Sequence, residues 1–421
     1  MTPFLLAALC FNSVALRSGD TVLFVGDSIT QAGDYVAQIE AYIGQIARTP
    51  VRPGERGPYQ NIHIINVGKS SETVSGTSEP DHHPSRPCIH DRFARDVAAF
   101  KPDIVVACYG MNDGNYFPFD ESRFDKYKAG MTRFIERVFK ETPARSLVLL
   151  TPPPFDASRA APPPADGKNF GYKHPAKDYD QTLRKYADWL LTLNSDRILV
   201  IDVHRATTQH LQGMRQKDPR YTVAPDSVHP NPSGHWIMAK SVLDALRIAP
   251  FEGRYAFEVN PSLDTNFLTE GKTFSRPQGF SLPLRLDARV PRDVYDDTAS
   301  YVQTIRIRGL PPGKYWVSFG ARDALMGDVD ASQLGRGMLV ADLDRHRIAH
   351  SLWVEATRRR RESITQHWLD RTKAARFDDL GLSVSAVAAA EASERVKKLD
   401  KLLDELSHPG KIEKIEVRPT R

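Results

Sequence analysis

The chain has 421 residues, 41% of them hydrophobic and 26% charged, which is typical of a globular protein with room for two or three domains. Its formal charge of +5 is spread along the chain, apart from four arginines at 358–361. No aromatic-interleaved basic stripe accompanies them, so we interpret this run as a solvated helix face and expect no nucleic-acid partner. After the N-terminus, no segment reaches the roughly 18 consecutive apolar residues of a membrane span. Cys10, Cys88 and Cys108 do not make a disulfide framework.

The first 17 residues have the character of a short signal peptide. An apolar segment over 3–11 precedes small residues at 13–15, although no positive side chain comes before it. Leu9 before Cys10 argues against a lipoprotein cleavage site. We therefore expect an exported protein, periplasmic or extracellular, with a cytoplasmic protein as the alternative.

From residue 18 to about 250, short apolar runs alternate with helical patterns. The runs predicted as strands cover 21–25, 63–67, 103–108, 147–151 and 198–203. The predicted helices cover 33–47, 90–100, 122–140, 178–193 and 232–247. Five such repeats predict an α/β domain with a mainly parallel sheet covered by helices on both faces. Functional residues are then expected at the carboxyl ends of the strands.

The pattern changes beyond residue 250. Polar and apolar residues alternate over 300–308, a turn follows at 310–313, and 314–319 predicts a second strand. Together with 337–350, this predicts a small antiparallel β domain over 251–350.

The C-terminal region, 351–421, is predicted to be helical. One helix is expected over 351–376 and another over 385–407. In the second, apolar residues at three- and four-residue steps predict a packed stripe, against the body of the protein rather than a partner chain. The stripe consists of Val396, Leu399, Leu403 and Leu406.

A serine stands where the first predicted strand ends. Ser28, in the motif Gly26-Asp27-Ser28, is expected at the exposed carboxyl edge of the sheet, near helix N–H groups that stabilise an anion. Thr30 distinguishes the motif from the Gly-x-Ser-x-Gly elbow. Asp and Ser are also ordinary helix N-caps, which is the alternative interpretation. Ser28 is our candidate nucleophile.

Polar residues also follow the later runs. Gly68 comes after the second run and Asn112 after the third, while Asp226 and His229 stand just before the last helix. An aspartate three residues before a histidine can orient the imidazole, which can accept a serine proton. Taken individually, each has a structural interpretation. Gly68 can be an ordinary loop glycine, Asn112 can form an Asx turn, and the Asp226-x-x-His229 spacing is often structural.

As an ordered set, these motifs resemble the SGNH hydrolases, also called the GDSL esterase/lipase family. The resemblance covers about residues 20–248 and is closest to a multidomain bacterial branch. It implies a flavodoxin-like three-layer α/β/α domain over 18–250, with Ser28 as nucleophile, His229 as general base and Asp226 orienting His229. The backbone N–H groups of Ser28 and Gly68, with the amide of Asn112, resemble the oxyanion hole.

The remaining acidic residues have structural interpretations. We expect Asp27 to cap or brace a loop and Asp113 to anchor the Asn112 turn. We interpret Asp81-His82-His83, flanked by prolines, as a surface loop rather than a fragment of a metal site. No metal or other cofactor is expected.

Two loops, 70–92 and 151–179, are expected to line the cleft. Phe155, Tyr172 and Tyr179 in the second loop suit the apolar faces of sugar rings, although they can equally pack the loop upon itself. Lys69-Ser70-Ser71 departs from the family's usual Gly/Asn-rich sequence, which leaves the substrate open.

We therefore predict a serine esterase that removes short acyl groups, acetyl first, from a polysaccharide or oligosaccharide. One alternative is the same machinery used for acyl transfer, or for hydrolysis of small aryl or lipid esters. A rival of another class is a non-catalytic carbohydrate-binding protein on a hydrolase fold. The sequence leaves the oligomeric state open.

Overall fold

The computed structural model describes residues 14–48, 58–248 and 352–407, together with shorter segments. These segments are 254–259, 267–269, 272–274, 280–284, 304–319, 324–336, 338–339 and 413–419. Most of the predicted signal peptide and most of 337–350 lie outside the described residues. The chain divides into two compact units, 1–248 with 358–398 and 249–357 with 399–421. The predicted domain boundaries at residues 250 and 350 stay predictions.

A five-stranded parallel sheet forms the centre of the first unit. Its strands are β1 (Thr21–Gly26), β2 (His63–Asn66), β3 (Ile104–Cys108), β4 (Ser146–Leu150) and β5 (Ile198–Ile201). The order is β2-β1-β3-β4-β5, with every neighbouring pair parallel. This flavodoxin-like order reverses direction between β1 and β3, which is where such sheets bind ligands. The predicted fold class is confirmed.

Seven α-helices accompany this sheet in the described part of 14–248. They are α1 (Ser28–Ala32), α2 (Asp34–Arg48), α3 (Ile89–Asp96), α4 (Glu121–Glu141), α5 (Tyr179–Leu191), α6 (Val203–Arg215) and α7 (Pro232–Ala245). The sequence analysis did not predict α1, which has only five residues and ends at Gly33 in the left-handed region. It also did not predict α6. The buried residues of α6 include His204, Thr207 and His210, so the helix lacks the apolar stripe on which the prediction of helices depends.

The helices lie in layers on both faces of the sheet. Leu23 and Val25 of β1 face a core that includes Phe93 of α3 and Tyr127 of α4. On the other face, Phe24 meets Tyr35 of α2 edge to face, at 5.8 Å between ring centroids. Strand side chains alternate between faces, so the near-continuous apolar strands supply both cores.

The second unit is rich in β structure. Its elements before residue 352 are β6 (Arg254–Val259), β7 (Phe267–Thr269), β8 (Lys272–Phe274), β9 (Phe280–Leu284), β10 (Thr304–Arg308), β11 (Lys314–Phe319), β12 (Ala324–Asp330), α8 (Ala331–Arg336) and β13 (Met338–Leu339). With β14 (Glu413–Pro419), the strands form two sheets, β13-β10-β6-β7-β8 and β12-β11-β14-β9. All described pairs are antiparallel except β10 with β6. The turn between β10 and β11 therefore joins two sheets.

Three helices follow near the C-terminus: α9 (Leu352–Thr372), α10 (Leu382–Glu391) and α11 (Glu394–Ser407). The predicted helix over 385–407 is thus two helices. The prediction of a helical region over 351–421 is wrong at its end, because β14 is a strand paired with β11 and β9. Trp368 of α9, Val387 of α10 and Val396 of α11 join the same core as α3 and α4. Trp368 also donates from Nε1 to Ser383 Oγ at 3.0 Å. No helix among the described residues is long and apolar enough to cross a membrane.

The arginine run at 358–361 is only partly a solvated face. Arg361 is 3% exposed, and its Nε donates to Glu40 Oε2 at 2.6 Å while Nη2 donates to the Ile64 carbonyl at 2.8 Å. The interpretation as a solvated face is therefore wrong for Arg361, because the helical period turns this position inward towards an acidic partner on α2.

Candidate active site

A serine forms a hydrogen-bonded chain at the carboxyl edge of the sheet with a histidine far along the sequence and the aspartate three residues before that histidine. Ser28 Oγ lies 2.8 Å from His229 Nε2, and His229 Nδ1 lies 2.6 Å from Asp226 Oδ2. An ionised carboxylate only accepts hydrogen bonds, so Nδ1 carries the proton and Nε2 is left to accept. The side chains of His229 and Asp226 are 39% and 43% exposed, so a ligand can reach them.

A tight junction between β1 and α1 presents Ser28. Asp27 caps the helix by accepting the Ile29 N–H at 2.9 Å. A side chain at Gly26 would place its Cβ 2.3 Å from Thr30 Oγ1 and 2.6 Å from the Cys108 carbonyl, so only glycine fits. Ser28 is the first residue of α1, and its backbone N–H therefore has no acceptor within the helix.

The turn before α7 fixes the histidine against its carboxylate. Asp226 Oδ1 accepts the N–H groups of Val228 at 3.1 Å and His229 at 2.7 Å. Although partial burial opposes ionisation, the hydrogen bonds from the His229 side chain and backbone lower the pKa of Asp226. The Asp156 N–H braces the turn by donating to the Ser227 carbonyl at 2.9 Å. Asp226 is thus held as an anion.

Gly68 lies against the helix that begins at Ser28. A Cβ at Gly68 would stand 2.3 Å from the backbone nitrogen of Gln31, so glycine alone permits this approach. The Gly68 N–H donates to Asn66 Oδ1 at 2.9 Å. The expected oxyanion donor is therefore adjacent to the nucleophile's helix but already has an acceptor.

Asn112 is 3% exposed and bonded at both ends of its amide. Nδ2 donates to the Glu72 carbonyl at 3.2 Å, while Oδ1 accepts from Arg86 Nη1 and from the Tyr116 hydroxyl, each at 3.0 Å. Glu72 is four residues after Gly68. The loop that packs Gly68 against α1 therefore also supplies the carbonyl that holds Asn112. One hydrogen of the Asn112 NH₂ group serves Glu72, and Nδ2 makes no second hydrogen bond to the described residues.

Two buried carboxyl groups support these loops. Burial raises the pKa of Asp27 to about 7, against the opposing effect of the Ile29 N–H. Burial also raises the pKa of Asp113 to about 6. Asp113 Oδ1 accepts the N–H groups of Val74 at 2.9 Å and Ser75 at 2.8 Å. Asp27 caps α1, as expected, whereas the Asp113 side chain anchors the loop at Val74 and Ser75 and not the Asn112 turn itself.

The aromatic residues suggested for substrate contact have different environments. Phe155 is 4% and Tyr179 0% exposed, and their rings pack edge to face at 5.5 Å. We therefore correct the expectation for these two, because a ring without exposed surface packs the loop and does not meet a ligand. Tyr172 is 43% exposed, and its hydroxyl donates to Asp226 Oδ2 at 3.1 Å.

Sequence reasoning missed the polar residues behind the site, above all Arg86, Asn66 and Glu72. Glu72 is 0% exposed and is paired with Arg92 at 2.6 Å. The Asn66-x-Gly68 spacing is an Asx-turn signal that could have been noticed. Nothing in the sequence pairs Arg86 with Asn112, since their contact depends on the path of the loop between them.

The described residues contain no group of three or more His, Cys, Asp or Glu side chains arranged to hold a metal ion. In the Asp81-His82-His83 segment, His82 Nδ1 instead lies 2.7 Å from the Pro84 carbonyl.

A doubly wound α/β domain with a serine, a histidine and an aspartate linked at its carboxyl edge defines the class of three-layer α/β serine hydrolases. A profile of the GDSL-like lipase/acylhydrolase family matches residues 24–237. The chain belongs to this family, and it is a serine hydrolase that acts on ester bonds.

Solved structures give further likenesses. A gut microbial diltiazem-metabolizing enzyme, BT4096, is 17% identical with a TM-score of 0.65, over 97% of this chain and 100% of that one. This likeness shows a shared fold. The acetylxylan esterase Axe2 from Geobacillus stearothermophilus is 23% identical (TM-score 0.36, 55% of this chain and 95% of that one). The hydrolase LAE5 from the metagenome of Lake Arreo, Spain, is 24% identical (TM-score 0.36, 55% and 96%). A comparison with curated proteins gave no match.

Proposed function

We propose that this protein is an esterase that removes short acyl groups, acetyl first, from an O-acylated saccharide through an acyl-enzyme on Ser28. The observation that carries the proposal is the 2.8 Å separation between Ser28 Oγ and His229 Nε2, with Asp226 on the opposite ring nitrogen. A nucleophile, a base within hydrogen-bond reach and a group that orients the base are the requirements of nucleophilic catalysis.

Acylation follows from these contacts. As Ser28 Oγ attacks the ester carbon, its proton passes to His229 Nε2, and Asp226 stabilises the imidazolium that forms. Proton transfer of this kind contributes ~10²–10⁴ in rate. The carbonyl oxygen becomes an anion, for which the Ser28 N–H and the open Asn112 N–H are donors. The imidazolium then protonates the leaving alcohol, which departs and leaves the acyl group on Ser28.

Deacylation repeats the sequence with water. His229 Nε2 accepts a proton from a water molecule as its oxygen attacks the acyl carbon. The tetrahedral intermediate collapses, the proton returns to Ser28 Oγ, and the carboxylic acid is released. The same imidazole therefore acts as base and acid in both halves of the reaction.

The rim of the site supports a hydroxylated substrate. The loop between β4 and α5 exposes Lys168, Asn169 and Lys173, and Tyr172 beside them is exposed with its ring 6.2 Å from the His229 ring. One exposed aromatic ring among polar side chains suits a sugar, which has apolar faces and a polar edge. A long acyl chain would require contiguous apolar surface, which these residues do not offer.

A paired ester screen tests the proposal. Acetate release is measured from acetylated xylo-, manno- and gluco-oligosaccharides, beside aryl esters of increasing acyl length. We expect turnover of acetylated sugars and a fall in rate as the acyl chain lengthens. Acylated products that appear only when unmodified sugars are added would indicate acyl transfer instead. Saccharide binding without ester turnover would overturn the esterase proposal.

A further inference from the structure

A buried arginine contacts the amide of Asn112 from behind the site. Arg86, in the loop between β2 and α3, is 6% exposed. It forms a two-point ion pair with Glu79, with Nε 2.5 Å from Oε2 and Nη2 2.6 Å from Oε1. Its remaining terminal nitrogen, Nη1, donates to Asn112 Oδ1 at 3.0 Å. One guanidinium thus links the loop carboxylate to the amide.

This contact determines which end of the amide is oxygen. A guanidinium only donates, so an NH₂ group cannot replace the oxygen beside Arg86 Nη1. The Tyr116 hydroxyl, 3.0 Å from the same oxygen, can donate or accept and would tolerate either orientation. With the oxygen held by Arg86, Nδ2 points to the Glu72 carbonyl and keeps its second hydrogen available.

The charge of Arg86 also acts on the strength of the donor. A hydrogen bond from a cation to an amide oxygen draws electron density towards that oxygen, and bonds in such a chain strengthen one another. The ion pair with Glu79 is buried, so this effect is poorly screened by solvent. The NH₂ group of Asn112 is consequently a better donor to a developing anion than an isolated amide.

We propose that Arg86 is a positioning residue of the oxyanion hole, which orients and polarises the Asn112 amide without touching the substrate. The inference rests on the proposed function, since it requires Asn112 to act on the oxyanion. The competing explanation is that Arg86 and Glu79 only hold the loop together. A loop brace would influence catalysis independently of Asn112, whereas a positioning residue acts only through it.

A double-mutant cycle on hydrolysis of 4-nitrophenyl acetate separates the two. We expect Arg86→Gln to lower kcat about tenfold or more, with KM changed by less than about threefold. In the Asn112→Ala background, the same substitution should lower kcat by less than about twofold. An equal loss in both backgrounds, or a loss confined to KM, would overturn the proposal.

Arg137→Gln is the matched control. Arg137 forms a similar two-point ion pair with Glu141, at 2.7 and 2.9 Å, and its Nη1 donates to the His90 carbonyl at 2.8 Å rather than to Asn112. It should leave kcat unchanged. If thermal unfolding shows that Arg86→Gln is not folded, Arg86→Lys takes its place in the cycle. We then expect an intermediate kcat for Arg86→Lys, and no further loss of kcat when it is combined with Asn112→Ala.

A second readout separates this inference from the proposed function. An aryl alkylphosphonate reacts when a serine oxygen displaces the aryl alcohol from phosphorus, and the serine proton leaves with that alcohol. Mass spectrometry of the intact protein measures the rate at which the adduct forms. We expect Arg86→Gln to slow this reaction only when Asn112 is present. Wild-type protein inert to both reagents would remove the proposed function and the Arg86 role together. Reactive wild-type protein with independent effects would remove the Arg86 role alone.

Discussion

The side-chain oxygen of Asn66 accepts the backbone N–H of Gly68 at 2.9 Å. Asn66 is itself held by donating from Nδ2 to the Thr30 carbonyl at 2.6 Å. In the proposed mechanism, an oxyanion would have to share the Gly68 N–H with this existing acceptor, which reduces the gain from that donor. The Asn112 amide, with one hydrogen open, should then carry the larger part of the stabilisation.

Asn112→Ala should lower kcat by ~10²–10³ and change KM little, because its amide is needed only as negative charge develops. Steady-state hydrolysis of an aryl acetate measures both constants. Asn194→Ala is the control, because Asn194 accepts the Val200 N–H at the opposite end of the sheet and should leave kcat unchanged. A rise in KM at constant kcat would instead assign Asn112 to ground-state binding.

Asp226→Asn should lower kcat by ~10³–10⁴, since an amide NH₂ facing His229 Nδ1 favours the ring tautomer whose Nε2 cannot accept a proton. The same kinetic measurement applies. Asp244→Asn, which alters an exposed carboxylate paired with Lys240 at 2.7 Å, should have no such effect. Similar rates for the two variants would contradict the assigned role of Asp226.

Asp27 makes stability depend on pH. Its pKa rises from 3.8 to about 7 on folding, chiefly through burial, so the folded state favours the protonated form. The contribution of protonated Asp27 to the free energy of unfolding is complete below about pH 4 and is lost as pH rises to about 7. Asp27→Asn keeps an acceptor for the Ile29 N–H and does not titrate. The stability of this variant relative to wild type should therefore be greater at pH 8 than at pH 4.5. Thermal unfolding at both pH values measures the difference, and an identical difference at the two would contradict this account.

Arg92→Met should destabilise the fold by about 3–5 kcal/mol, because it leaves the buried carboxylate of Glu72 without its cation. Arg92 and Glu72 have side chains 1% and 0% exposed. Urea unfolding gives the free energy. Arg205→Met is the control, since the Arg205 side chain is 70% exposed where it pairs with Asp202 at 3.2 Å, and its loss should change stability by less than about 1 kcal/mol. Equal effects would show that burial does not govern these pairs.

Much of the fold could be predicted because buried parallel strands are continuous apolar runs. All five predicted runs in 18–250 contain strands, and Ser28, His229 and Asp226 are hydrogen-bonded to one another in the order that the family resemblance implies. Prediction from the sequence failed where polar side chains are buried. The inward polar residues of α6 obscured a helix, and the Arg86–Asn112 contact joins residues whose pairing depends on loop conformation.

The most direct test compares Ser28→Ala with wild-type protein in hydrolysis of an aryl acetate, after thermal unfolding shows that both are folded. Ser195→Ala, at the amino edge of β5, is the matched control and should retain activity. We expect Ser28→Ala to lose about 10⁴-fold or more of kcat. Turnover within a few-fold of wild type would show that the nucleophile is another group.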